Sequence, residues 1–92
     1  MPESIVEERS KSKVREENIY SHFVTLYNDD YNTFEHVENC LMKICGMSLL
    51  QAKKTALKAH TRGSAVCYKG SLEACETIAE KLSAQNLTVS VN

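Results

Sequence analysis

The sequence predicts an α+β fold: a single small domain of order β-α-α-β-α-β, with three helices packed on a three-stranded antiparallel sheet behind a flexible N-terminal tail. Three observations carry that expectation. Apolar residues recur at helical spacing in three separate segments, short aromatic and β-branched runs fall before and between them, and glycines sit at the joins. With 92 residues and 42% apolar content, the chain has material for one modest core and little beyond it.

Residues 1 to 17 hold nine charged side chains of both signs, with only Ile5, Val6 and Val14 as sizeable aliphatics. That is too little apolar surface to offset the ordering of the backbone, so residues 1–18 are expected to be a flexible extension and residues 19–92 the folded domain. From Ile19 to Tyr27 the residues Phe23, Val24, Thr25, Leu26 and Tyr27 suit a largely buried strand. Phe34, Val37, Leu41 and Ile44 then mark one stripe of a first helix, which Gly46 terminates. Ser48 and Gln51 have the spacing of a capping box, and Leu49, Ala52, Ala56 and Ala59 trace a stripe of mostly small residues along a second helix that ends at His60. Small side chains there predict either close packing or an open pocket. Lys53, Lys54 and Lys58 form that helix's solvated face.

Gly63 supplies a reversal into a short strand of Ala65, Val66, Cys67 and Tyr68. Ser71 is a candidate N-cap, with Glu73 in the first turn, and Leu72, Cys75, Ala79 and Leu82 repeat at helical spacing behind it. At the C-terminus Leu87, Val89 and Val91 alternate with Thr88, Ser90 and Asn92, the pattern of a half-buried strand.

Several function classes are disfavoured by the totals. Eleven basic and twelve acidic residues leave a net charge of −1, which gives no reason to expect nucleic acid or an anionic membrane as a partner. No apolar stretch has the length of a membrane span or the form of a signal peptide, so a cytoplasmic protein is expected, or one in the stroma of a plastid. In such a compartment Cys40, Cys45, Cys67 and Cys75 are expected to be reduced, buried and small. His36 and Cys40 lie one helical turn apart without a matching second pair, so neither a metal nor any other cofactor is expected. Cys67 with His60 lacks an orienting third group, and nothing argues for catalysis.

The stretch most suggestive of function is Tyr27-Asn28-Asp29-Asp30-Tyr31-Asn32, where an apolar run breaks into polar groups flanked by tyrosines. Two carboxylates and an amide on successive residues present acceptors suited to a cation or a donor-rich group. The same residue types are also the favoured ones for a turn that caps the next helix. Together with His60 followed by Gly63, with Ala65-Val66-Cys67 and with Glu76-Thr77, the Asn28-Asp29-Asp30-Tyr31 segment resembles the ClpS adaptor family over residues 20 to 92.

ClpS proteins bind the free N-terminal residue of proteins that begin with a large hydrophobic side chain, and deliver them to the AAA+ unfoldase of a Clp protease without catalysing a reaction. The resemblance implies that Asn28, Asp30 and His60 hold the ligand's α-amino group, with Asp29 and Asn32 close to the first peptide bond. It further implies that Phe34, Val37, Ala56, Ala59 and Leu87 line the side-chain pocket, and that Glu73 and Glu76 meet the N-terminal domain of the unfoldase. The N-terminal extension would serve delivery, and the protein would act as a monomer. Three places depart from the family pattern: Asn32-Thr33-Phe34 stands where relatives have Thr-Pro-Met, Ala56 and Ala59 where they have Met and Val, and Glu76-Thr77-Ile78 where they have Glu-Thr-Lys. A second reading of the same fold is a docking module that binds a partner through its helices and recognises no N-terminal amine.

Overall fold

Each of the three helices among the described residues begins at a hydroxyl. Thr33 Oγ1 accepts from the His36 N–H at 3.1 Å, Ser48 Oγ from Gln51 at 3.2 Å and Ser71 Oγ from Ala74 at 3.1 Å, in each case satisfying a donor that the first turn leaves without an intrahelical partner. The computed structural model describes residues 21–92; the expected tail over 1–18 and the first two residues of the expected first strand lie outside the described residues. Within them the order is β1 His22–Tyr27, α1 Phe34–Cys45, α2 Leu49–Arg62, β2 Ser64–Gly70, α3 Leu72–Ala84 and β3 Val89–Val91. Gly46 closes α1 at φ 73° and Gly63 closes α2 at φ 92°, both in the left-handed region that a side chain disfavours.

The strands form one antiparallel sheet of order β2-β1-β3. The first strand is therefore central, and its Val24 and Leu26 are almost fully buried against Leu41, Ala52, Ala59, Cys75, Leu82 and Leu87. The register slips between Val24 and Thr25: Thr25 pairs with Val66 and Val24 with Tyr68, so Cys67 has no partner across the ladder. This bulge lets Cys67 and Tyr68 both pack on the core, while Val66 stays 41% exposed. All four cysteines are free thiols, and burial pushes those of Cys40 and Cys75 up.

Two expectations are corrected. The second helix, expected to end at His60, runs on to Arg62, and Phe34, Leu49 and Leu72, which head the three helical stripes, are 46%, 50% and 47% exposed. All three are the first residue of a helix, and the stripe makes its buried contacts only from the second turn on. Leu87 does not belong to the C-terminal strand either. Its N–H bonds back to the Leu82 carbonyl at 3.2 Å, so it closes the end of α3, and β3 starts two residues later.

Candidate functional site

The end of β1 is fixed on both sides. The Tyr27 N–H donates to the Thr88 carbonyl and the Asn28 N–H to the Gly63 carbonyl, each at 2.9 Å. The loop that follows thus leaves the sheet beside the C-terminal turn of α2, which carries His60. Inside the loop Asp29 acts as a turn acceptor: Oδ1 receives the N–H groups of Tyr31 at 3.0 Å and Asn32 at 2.8 Å, while Oδ2 receives the Asn32 side-chain amide at 2.8 Å. The second proton of that amide goes to the Asn86 carbonyl at 2.9 Å, in the turn between α3 and β3. Asn86 takes a left-handed φ of 66°, which Asn tolerates better than most residues. In the first turn of α1, His36 Nε2 donates to the Gln85 carbonyl at 2.9 Å and ties the helix to the same turn. Burial works to raise the Asp29 carboxyl, but the hydrogen bonds from Asn32 and Tyr31, with His36 nearby, outweigh it and hold the group below its ordinary value.

Between this loop, the start of α1 and the end of α2 lies a cavity of about 260 Å³. Leu26, Val37, Ala56 and Ala59 give it an apolar floor, and Tyr27, Asp29, Asp30, Asn32, Thr33, Phe34 and His60 complete its lining. The floor exists because α2 presents only methyl groups here: Ala56 and Ala59 are each 4% exposed and leave room that larger residues would fill. The side chains of Asp30 and His60 are exposed and make no hydrogen bond with any described residue; the His60 ring meets that of Phe34 edge on, with centroids 5.1 Å apart and planes at 68°. A carboxylate and an imidazole that point at solvent over apolar ground suit a ligand with a cationic donor head and a hydrophobic body.

Of the residues expected in the site, Asp29, Asp30, Asn32, Phe34, Val37, Ala56, Ala59 and His60 are brought together. Leu87 is not: at 3% exposure it belongs to the core, because the chain folds back on α3 at that point. Asn28 is exposed next to the cleft without lining it. Leu26, Tyr27 and Thr33 were missed. The alternation of β1 could have found Leu26, the last inward residue before the loop. Glu73 and Glu76 lie on the exposed side of α3, away from the cleft, and Glu73 borders a separate shallow depression with Tyr68, Ser71 and Thr77. Among the described residues no three His, Cys, Asp or Glu converge as metal ligands, and no helix is long and apolar enough to cross a membrane.

A three-helix, three-stranded domain with acceptors gathered over an apolar cleft at one end defines a small α+β binding module. The chain belongs to the ClpS family: the description "ATP-dependent Clp protease adaptor protein ClpS" matches residues 17–90. It is 34% identical over 90 residues to the ClpS adapter of Thermosynechococcus vestitus, covering 97% of this chain and 94% of that one. With the ClpS adapter of Synechocystis it shares 37% over 84 residues, covering 89% and 84%. Among solved structures it is similar to Agrobacterium tumefaciens ClpS2 bound to L-phenylalaninamide, with a TM-score of 0.72 and 28% identity over 77% of this chain and 93% of that one.

Proposed function

We propose that this protein is an N-degron adaptor: it binds proteins by a free N-terminal residue with a large hydrophobic side chain and hands them to a Clp AAA+ unfoldase. The observation that carries this reading is the pair Asp30 and His60, side-chain acceptors without a hydrogen-bond partner among the described residues, on the rim of an apolar-floored cleft. An α-ammonium has three donors. Asp30 offers a charged acceptor, His60 a neutral one when its imidazole is deprotonated, and the exposed amide of Asn28 beside the cleft is the third. The ligand's first side chain then descends onto Leu26, Val37, Ala56 and Ala59. Asp29 and Asn32 act mainly by shaping the loop, with the remaining lone pairs of Asp29 free to meet the following peptide. The likeness to a ClpS2 that holds phenylalaninamide, an aromatic amino-acid amide with a free amine, supports the same chemistry here.

On this reading Glu73 and Glu76 on α3 dock the N-terminal domain of the unfoldase, residues 1–18 assist delivery, and the protein works in the cytoplasm as a binder without chemistry of its own. The test is fluorescence anisotropy with a peptide beginning in Phe, free or acetylated at its N-terminus. Acetylation removes a charged donor worth roughly 1.5 to 3 kcal/mol, so affinity should fall by about tenfold or more. Equal binding of the two peptides would exclude amine recognition and leave docking through the helices as the function.

A further inference from the structure

His60 is the acceptor on which the amine reading turns, and no polar group of the described residues holds it. Its ring sits in the last turn of α2, exposed to solvent, three residues before the chain reverses at Gly63. What it does touch is Phe34, at a centroid distance of 5.1 Å and an interplanar angle of 68°, inside the range and close to the orientation that aromatic pairs prefer. Phe34 is itself well placed to orient another ring. It is the first residue of α1, directly after the Thr33 cap, and two residues beyond Asn32, whose side chain bridges Asp29 and Asn86. At 46% exposure it stands on the rim of the cleft and not on the floor.

We infer that Phe34 is a positioning residue: its edge-to-face contact fixes the His60 imidazole so that a ring nitrogen faces the ligand's ammonium. The inference rests on the amine-binding reading above. It has a physical consequence for how the site is assembled. The carboxylate half comes from the loop after β1 and the imidazole half from the end of α2, and no described side-chain hydrogen bond connects them. The Phe34 ring does so, since the hydrogen bonds that shape the loop also set the start of α1. Without the ring the imidazole turns about its own two torsions, and ordering it falls to the ligand, which weakens binding.

A double-mutant cycle on peptide affinity tests this, using a peptide that begins in Phe. Phe34→Leu keeps apolar bulk and removes the ring; Phe34→Tyr keeps the ring. In the wild-type background Phe34→Leu should weaken binding by about three- to tenfold, the size of one aromatic pair, and Phe34→Tyr by less than about twofold. In a His60→Ala background Phe34→Leu should have no further effect, because the ring acts through the imidazole. Equal losses in both backgrounds would mean that Phe34 touches the ligand alone, and would overturn the inference. So would a Phe34→Tyr loss as large as that of Phe34→Leu. Ring-to-ring nuclear Overhauser contacts between Phe34 and His60 in the unliganded protein supply a readout independent of ligand: their presence is expected, and their absence defeats the positioning role whatever the peptides do. If the contacts are present but wild-type protein binds free and acetylated peptides equally, the fault lies with the amine reading, and both fall for that separate reason.

Discussion

The side-chain amide of Asn32 lies 2.8 Å from Asp29 Oδ2 and 2.9 Å from the carbonyl of Asn86, so one group uses both protons to join the loop after β1 to the turn before β3. Asn32→Ala removes both bonds, one of them to a carboxylate. Neutral bonds contribute about 0.5 to 1.5 kcal/mol and charged ones somewhat more, and partial exposure keeps the total near the low end. A destabilisation of about 1 to 2 kcal/mol in urea is expected. An unchanged midpoint would show that the loop keeps its shape without the amide.

Asp29 makes the same network sensitive to acid. Its carboxyl lies below its ordinary value in the folded protein because the ionised form accepts from Asn32 and Tyr31. The sign follows from linkage: a depressed folded value contributes stability that is fully present above the unfolded carboxylate value of about 3.9, and is lost as pH falls through the lower folded one. Wild-type protein should therefore be more stable than Asp29→Asn at pH 7, and the gap should close as pH drops below about 4. Urea midpoints of the two proteins that keep a constant separation down to the acid limit would contradict this.

Asp30 has no such structural duty, since it is exposed and makes no hydrogen bond with a described residue. Asp30→Ala is expected to leave thermal stability within about 0.5 kcal/mol, as surface substitutions usually do. It should nevertheless cost about tenfold in affinity for a peptide with a free amine. Against the acetylated peptide, which brings no ammonium, the substitution should make little difference. Similar losses for both peptides would place the Asp30 contact somewhere other than the amine.

Gly63 connects the site to the backbone. Its φ of 92° lies where L side chains are strained, yet an added Cβ would meet nothing within 4 Å. Gly63→Ala thus isolates the conformational penalty from steric clash, at about 1 to 2 kcal/mol. Its carbonyl receives the Asn28 N–H, and its own N–H goes to Ala59 on the cleft floor. Peptide affinity should therefore drop along with stability. A variant that loses stability and binds unchanged would show that the turn does not set the site.

Much of the domain was legible in the sequence because its signals are local. Ser48, Ser71 and Gly46 are capping residues whose chemistry works within four positions, and each bounds a helix where expected, whereas the helix expected to end at His60 runs on to its cap at Gly63. The polar loop could be read either as a turn or as a presenter of acceptors; Asp29 and Asn32 build the turn, and Asp30 is left exposed. What escaped depends on contacts between distant residues. Phe34, Leu49 and Leu72 continue a helical period that cannot say where a helix end projects beyond its neighbours. Leu87 alternates correctly with Val89 and Val91, yet a bond to Leu82 takes it out of the strand. The bulge at Cys67 and the central place of β1 arise from pairing across the sheet, which no single segment encodes.

On the proposed reading the shape of the cleft governs which first residue is chosen. Phe34 stands at the rim against His60 and does not fold inward, so the 260 Å³ over Leu26, Val37, Ala56 and Ala59 is left for the ligand. Each CH₂ that a ligand buries there is worth about 0.8 kcal/mol, and an open floor rewards the largest rings most. Peptides that begin in Trp or Phe should bind more tightly than one that begins in Leu. Ala56→Met extends a flexible side chain from a buried position into that space and removes the advantage. The Trp and Phe peptides should lose affinity relative to Leu by about 1 to 3 kcal/mol, the usual worth of a group's fit in an apolar pocket. Folding stability should change by less than that, because the new atoms enter an open cleft and not a packed core. Competition binding of the three peptides to wild-type and Ala56→Met proteins decides the matter. An identical ranking in both would mean that the methyl of Ala56 does not face the bound side chain, and that the pocket must be sought on another wall.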